Sequence, residues 1–165
     1  MRSLFLSLLS LLLSLPTLAA QDFAQKFAEE WAKDSVLETV TISPKMMEQM
    51  LGMAPVEGLG QDKRIREAIG KLRSMRIVTA RSNSQLYYER ATDLMNRNST
   101  RFQQIDTFAK TADEGAFYSR KNQQGETVEL VMLYHHQDKG RFVVVCVTGD
   151  IDDAFFRSLL DTFRY

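Results

Sequence analysis

One stretch of the chain, residues 141–148, reads Arg-Phe-Val-Val-Val-Cys-Val-Thr and decides the fold. Its middle six residues are all apolar, and four of them are β-branched valines. Such a run is typical of a strand that is buried on both of its faces. A strand of this kind lies inside a sheet, so the sequence around it must supply neighbouring strands.

The segments before this stretch also have strand patterns and are separated by short turns. Strands are predicted over 102–110, 115–121 and 126–136, with turns at 122–125 and 137–140. Short turns between neighbouring strands give antiparallel hairpins. The last third of the chain is therefore predicted to be a four-stranded antiparallel meander.

The first half of the chain alternates between helix and strand patterns. Strands are predicted over 36–42 and 72–80; helices are predicted to begin at Asp22, Ser43, Asp62 and either Ser82 or Ser84, and a terminal helix is predicted after Gly149. This order predicts an α+β fold: strand-helix-strand-helix, then the meander and a C-terminal helix, around a mostly antiparallel sheet. We expect the helices to pack on one face of that sheet.

The first twenty residues have the pattern of a secretory signal peptide. Arg2 gives a positive start, residues 4–15 are an apolar run, and residues 16–20 end in small residues. The run is shorter than the ~20 residues that a membrane span needs. We expect cleavage after Ala20, export, and a single domain over residues 21–165 with no transmembrane segment.

Cys146 is the single cysteine of the chain, so no intramolecular disulfide can form. It lies far from the expected cleavage site, and the exported protein is therefore not expected to be a lipoprotein. Inside its apolar stretch the thiol is predicted to be buried and inert. The alternative is a thiol that pairs between two chains.

The charge balance argues against nucleic acid as a partner. The chain has 21 basic and 21 acidic residues, and without the leader it has 20 against 21, a net charge of −1. Residues 61–101 are locally basic, with ten Lys and Arg against four Asp and Glu. We interpret them either as solvated outer faces or as a basic patch for an acidic partner, a phosphate or a lipid headgroup.

The helix after Ser43 is rich in methionine, which either fills a core or presents an adaptable binding surface. If the protein has a contact surface, we expect it to combine the basic segment with this helix. The residues predicted for it are Arg73, Arg76, Arg81, Met46 and Met50.

No catalytic motif is visible in the sequence. His135 and His136 are adjacent on a predicted strand, so they point to opposite faces and cannot easily hold one metal ion; we expect them to face solvent. Asp150, Asp152 and Asp153 are interpreted as a helix cap, with a divalent cation site as the alternative. There is no G-x-S-x-G elbow and no triad-like arrangement. We therefore expect no enzymatic activity, metal or cofactor.

Three short segments carry a resemblance to a known family: residues 71–79, 129–133 and 147–152. With the leader and the order of elements, they resemble the bacterial domain of unknown function family 4252 over about residues 36–163. The resemblance implies a small exported protein of Gram-negative bacteria with no established activity, catalytic residue or cofactor. Members are often encoded near extracytoplasmic-function sigma factors, which implies a link to envelope signalling.

These observations favour a non-enzymatic binding or interaction module of the periplasm or cell envelope, whose partner is an envelope protein or a small ligand. One alternative is a lipid- or membrane-associated binder that uses Phe23, Phe27 and Trp31, which share one helix face. Another is a metal-dependent enzyme around Asp150 and Asp152. The sequence leaves the oligomeric state open.

Overall fold

The structure is a computed structural model that describes residues 21–53, 63–152 and 156–157. The expected signal peptide, the predicted cap at Asp62 and most of the predicted terminal helix lie outside these residues. The described residues contain most of the family-like region.

The described elements are α1 (Phe23–Glu30), β1 (Leu37–Ile42), α2 (Pro44–Met53), α3 (Lys63–Gly70), β2 (Leu72–Ala80), α4 (Ser84–Arg97), β3 (Gln103–Lys110), β4 (Asp113–Lys121), β5 (Thr127–His136) and β6 (Arg141–Gly149). The strands form one six-stranded sheet in the order β1-β2-β6-β5-β4-β3, and every neighbouring pair is antiparallel. The α+β fold and the four-stranded meander are therefore confirmed.

The apolar stretch at residues 141–148 forms β6, which lies between β2 and β5 inside the sheet. Val144 and Cys146 point to one face, and Val147 is buried on the other. The prediction of an interior strand covered on both faces is confirmed.

The helices lie on both faces of the sheet, so the expectation of a single helical face is wrong. On one face, α1 and α4 cover the main core, to which Phe27 and Val144 belong. On the other face, Met47 of α2 and Ile69 of α3 pack in a second core with Val147. The physical reason is that β6 is apolar at successive positions, so each of its faces needs a cover.

The first helix begins as predicted. The Asp22 side chain caps it, with Oδ1 accepting a hydrogen bond from the backbone N–H of Gln25 at 2.8 Å. Phe23 and Phe27 are buried in the main core, and the Trp31 ring lies 4.7 Å from the Phe27 ring. The aromatic stripe of α1 therefore packs on the sheet.

Cys146 is buried as predicted, and we expect its thiol to be unreactive in the native state. Burial raises the pKa of this thiol well above its ordinary value, and the nearby charge of Glu129 adds to the effect. A raised pKa lowers the thiolate fraction, which is the reacting form, at any given pH. The expected result is labelling by a disulfide reagent at least ~100-fold slower in buffer than in 8 M urea, because the native core must open first. Equal rates in the two solutions would contradict the buried position.

Candidate functional site

Two polar centres lie on the main-core face of the sheet, at opposite ends of β5. One is built around Glu129 and the other around His135, which are 0% and 2% exposed. Residues six positions apart on a strand lie about 20 Å apart. The two centres are therefore separate, and each has its own set of partners.

His135 connects side chains from two other elements. Its Nε2 lies 3.0 Å from Ser84 Oγ, and its Nδ1 lies 2.9 Å from Glu114 Oε1. An ionised carboxylate can only accept, so Nδ1 carries the hydrogen and donates it to Glu114. In the neutral imidazole, Nε2 is then left to accept from the Ser84 hydroxyl. Serine, histidine and glutamate thus form one line of hydrogen bonds.

Sheet register brings these three side chains together. Glu114 of β4 lies directly opposite His135 of β5. On the other side of His135 lies Phe142 of β6, which in turn lies opposite Ala80 at the end of β2. A short turn after β2 then places Ser84 as the first residue of α4. Four strands and the first residue of α4 therefore meet at this end of the sheet.

Neighbouring side chains hold the imidazole and the carboxylate in place. The Tyr88 ring stacks on the His135 ring with centroids 5.4 Å apart, and Gln137 Nε2 donates to Glu114 Oε1 at 3.3 Å. Burial, with a smaller contribution from the Glu114 charge, raises the pKa of Tyr88 to about 12. Tyr88 therefore stays neutral and provides a flat, apolar face against His135.

The prediction that His135 faces solvent is wrong, because this residue shares a strand face with the buried Val131 and Leu133. The signal was present in the sequence: adjacent residues on a strand point to opposite faces, so one histidine of the pair had to face the core. His136 is half-buried.

The cap of α4 was predicted at Ser82 or Ser84, but neither residue takes this position. Asn83 lies there instead, with φ 53°, and its side chain makes no cap hydrogen bond.

A cleft of about 320 Å³ is lined by Arg81, Lys139 and Arg141 (the cationic cleft). Gly140 lies between two of these residues, and a Cβ atom there would be 4.0 Å from Ser84 Oγ. The serine hydroxyl therefore lies directly behind the turn that forms one side of the cleft.

The charges of the cationic cleft are poorly balanced by the protein itself. Arg81 lies 3.7 Å from Glu38, but the two side chains are 82% and 62% exposed, and ion pairs of this kind contribute little. Within residues 21–53, 63–152 and 156–157, no carboxylate forms an ion pair with Lys139 or Arg141. Three neighbouring cations with one weak pair favour an anionic ligand.

The three arginines of the predicted contact surface lie at separate points. Arg73 and Arg81 lie at opposite ends of β2, eight positions and so about 26 Å apart. Arg76, between them, forms an ion pair with Asp22 and donates to Gln25 Oε1 at 3.1 Å. Of these arginines, only Arg81 belongs to the cationic cleft.

Met46 and Met50 are exposed on α2, which covers the second core. They are therefore on the opposite side of the sheet from α1 and α4. Their role in binding a partner stays a prediction, as does that of Arg73.

The second polar centre holds α1 on the sheet. Glu129 Oε1 accepts from the backbone N–H of Phe23 at 2.6 Å and from Cys146 Sγ at 3.4 Å. Its Oε2 accepts from Arg120 Nε at 2.7 Å and lies 3.9 Å from an Arg101 guanidinium nitrogen. Each carboxylate oxygen is thus satisfied by the protein, which is typical of a structural ion pair rather than a ligand site.

Metal ligands are not grouped in the described part of the chain, where no three His, Cys, Asp or Glu side chains are arranged to hold an ion. Asp152 lies 3.7 Å from Lys71 Nζ, and Asp153 lies outside the described residues. No helix within those same residues is both long and apolar enough to cross a membrane.

Comparison with known proteins gives one match. The model of the family described as "Domain of unknown function (DUF4252)" matches residues 30–156. This range includes all six strands and the line of Ser84, Glu114 and His135, whereas α1 lies almost entirely before it. No curated protein and no solved structure matches the chain. Because the match covers well over half of its length, the chain belongs to the DUF4252 family.

Proposed function

We propose that this protein is an exported binding module of the periplasm or cell envelope of a Gram-negative bacterium, and that its cationic cleft binds a small anionic ligand. The observation that carries the proposal is the grouping of Arg81, Lys139 and Arg141 around one cleft. The signal-peptide pattern of residues 1–20 supports export. The resemblance to a family often encoded near sigma factors supports a role in envelope signalling.

Electrostatics gives the physical reason for an anion. Like charges on one cleft repel each other, and this repulsion is relieved when a carboxylate or phosphate binds between them. Arg81 and Arg141 can each bind such a group through two parallel hydrogen bonds, and Lys139 adds a point charge. A ligand that carries one of these groups and fits a cleft of about 320 Å³ is therefore favoured.

We expect benzoate and inorganic phosphate to bind weakly but saturably at low ionic strength, which can be followed by amide chemical shifts in an NMR titration. The largest shifts are expected at Arg81 and Gly140. The double variant Lys139→Gln/Arg141→Gln should weaken binding roughly tenfold, because each exposed charge contributes on the order of 0.2–1 kcal/mol.

The matched control for this titration is Lys121→Gln, which removes an exposed charge at the far end of β4. Its affinity for both anions should equal that of the wild type. The proposal fails if the double variant binds as well as the wild type, or if the shifts map to other residues.

The alternatives drawn from the sequence gain no support from the site. A lipid binder that used the α1 aromatic stripe would have to withdraw Phe23 and Phe27 from the main core. A metal-dependent enzyme would need ligands beyond Asp150 and Asp152. Binding alone requires no catalysis, so the expectation of a non-enzymatic protein stays a prediction.

A further inference from the structure

The line of Ser84, His135 and Glu114 ends beside Gly140, which lies between two residues of the cationic cleft, and this juxtaposition suggests chemistry as well as binding. We infer that Ser84 is a nucleophile that accepts an acyl group from an anionic ester held in the cationic cleft, with His135 as its general base. The inference rests on the proposed function, because the cleft must hold the charged part of the substrate. It replaces the expectation of a non-enzymatic protein with a measurable activity.

Geometry assigns the role of each side chain. A general base must lie within about 2.6–3.2 Å of the atom whose proton it takes, and His135 Nε2 lies 3.0 Å from Ser84 Oγ. Glu114 accepts from Nδ1 at 2.9 Å on the opposite side of the ring. It is therefore a positioning residue that fixes the tautomer and stabilises the imidazolium that forms.

Ser84 is buried, and its hydroxyl lies next to the turn at Gly140. Ser84 is 6% exposed and His135 is 2% exposed, so the hydrogen-bonded line is largely shielded from water. Gly140 has no side chain to cover the hydroxyl, and a Cβ atom at this position would already be in van der Waals contact with Oγ. The Ser84 hydroxyl therefore adjoins the turn that carries Lys139 and Arg141, two of the three residues of the cationic cleft.

The start of α4 supplies donors for the negative oxygen that forms during acyl transfer. The first helical hydrogen bond runs from the Tyr87 N–H to the Asn83 carbonyl at 3.2 Å. Among the residues that the structure describes, none accepts from the N–H groups of Gln85 and Leu86, and the Asn83 side chain does not cap them. These groups lie at the same helix end as the Ser84 hydroxyl, where they can stabilise an oxyanion.

The reaction balances with water as the only co-substrate. Ser84 Oγ bonds to the ester carbonyl carbon while its hydrogen passes to His135 Nε2. The carbon–oxygen bond to the alcohol then breaks, and the alcohol leaves with that hydrogen. Water attacks the acyl-serine and gives one hydrogen to Nε2. The bond between the acyl carbon and Ser84 Oγ then breaks, the carboxylic acid leaves, and Oγ takes the hydrogen from Nε2.

A covalent probe tests the nucleophile directly on the full chain, purified as the cell produces it. A fluorophosphonate should label Ser84, as mapped by mass spectrometry, and labelling should disappear in Ser84→Ala. The matched control is Ser82→Ala, an exposed serine in the same turn, which should label like the wild type. Circular dichroism tests whether each variant is folded. Mapping of the label on the wild type identifies the nucleophile even if Ser84→Ala does not fold.

A steady-state assay tests catalysis and the role of the cleft. The wild type should hydrolyse 4-acetoxybenzoate, and Ser84→Ala and His135→Gln should lower kcat at least ~100-fold. Arg141→Gln should slow hydrolysis of this anion several-fold more than hydrolysis of its neutral methyl ester. Glu114→Gln should lower kcat with little change in KM, and Glu114→Asp should restore part of kcat, which a purely structural contact would not do.

The outcomes separate this inference from the proposed function. No label on Ser84, or hydrolysis by Ser84→Ala at the wild-type rate, overturns the nucleophile; benzoate binding at Arg81 and Gly140 would then still support the binding module. Label on Ser84 with a rate that is unaffected by Arg141→Gln supports the nucleophile but overturns the cleft as the substrate site. Absence of both labelling and anion binding overturns both.

Discussion

Replacement of Glu129 by alanine is expected to lower the free energy of unfolding by about 3–5 kcal/mol, because removing one partner of a buried ion pair leaves the other without compensation. Glu129 is fully buried, and Arg120, which donates to it at 2.7 Å, has a side chain only 22% exposed. The Phe23 N–H and the Cys146 thiol lose the same acceptor. Three groups on three elements therefore depend on one carboxylate.

The measurement is urea unfolding followed by the fluorescence of Trp31, the only tryptophan of the chain. Trp31 packs on Phe27 at the end of α1, so it reports directly on whether this helix is docked. Glu126→Ala, at an exposed position three residues earlier, is the control and should change stability by less than ~0.5 kcal/mol. A Glu129→Ala midpoint equal to that of the control would show that the buried carboxylate does not hold α1.

Glu129 also shows what sequence patterns can and cannot predict. The strand containing it was predicted from alternation alone, because alternation is a local property. Its partners Phe23 and Arg120 come from other elements, and only the register and the position of α1 bring them within hydrogen-bond distance. A charged residue on the same strand face as Val131 and Leu133 was nevertheless a sign of a buried ion pair.

The candidate site was missed for a similar reason. Ser84, Glu114 and His135 lie far apart in the sequence, and no motif of fixed spacing connects them. Two features brought them together: the exact opposition of Glu114 and His135 across β4 and β5, and the turn that starts α4 beside β6. Local patterns predict the strands and that helix, but they do not predict which side chains face each other.

The placement of helices on both faces of the sheet is a different case, because the sequence contains the information that predicts it. The sequence indicates that β6 is apolar on both faces, whereas the order of elements along the chain favours helices on one face. The apolar area that Val145 and Val147 would expose on an uncovered face argues for helices on both faces. The need to bury both apolar faces of β6 therefore predicts where the helices lie better than the order of the elements does.

Replacement of Gly149 by alanine is expected to be about as damaging as the loss of Glu129. Gly149 ends β6 at φ +141°, and a Cβ atom there would lie 2.6 Å from both Leu72 Cα and the Lys71 carbonyl oxygen. These are backbone atoms of β2 and its approach, so they cannot swing aside as a side chain would. Backbone strain of 1–3 kcal/mol and overpacking of similar size together predict a loss of about 2–6 kcal/mol.

Gly70→Ala is the matched control, because a Cβ atom there would meet nothing within 4 Å. It ends α3, and alanine should leave stability unchanged or raise it by up to ~1 kcal/mol by restricting the unfolded chain. Both variants can be compared by urea unfolding under one set of conditions. Equal unfolding midpoints for the two alanine variants would mean that β2 and β6 separate easily at the end of β6 where Gly149 lies. The hydrogen bond from the Asp150 N–H to the Lys71 carbonyl at 3.1 Å argues against such freedom, because it ties the chain down directly after Gly149.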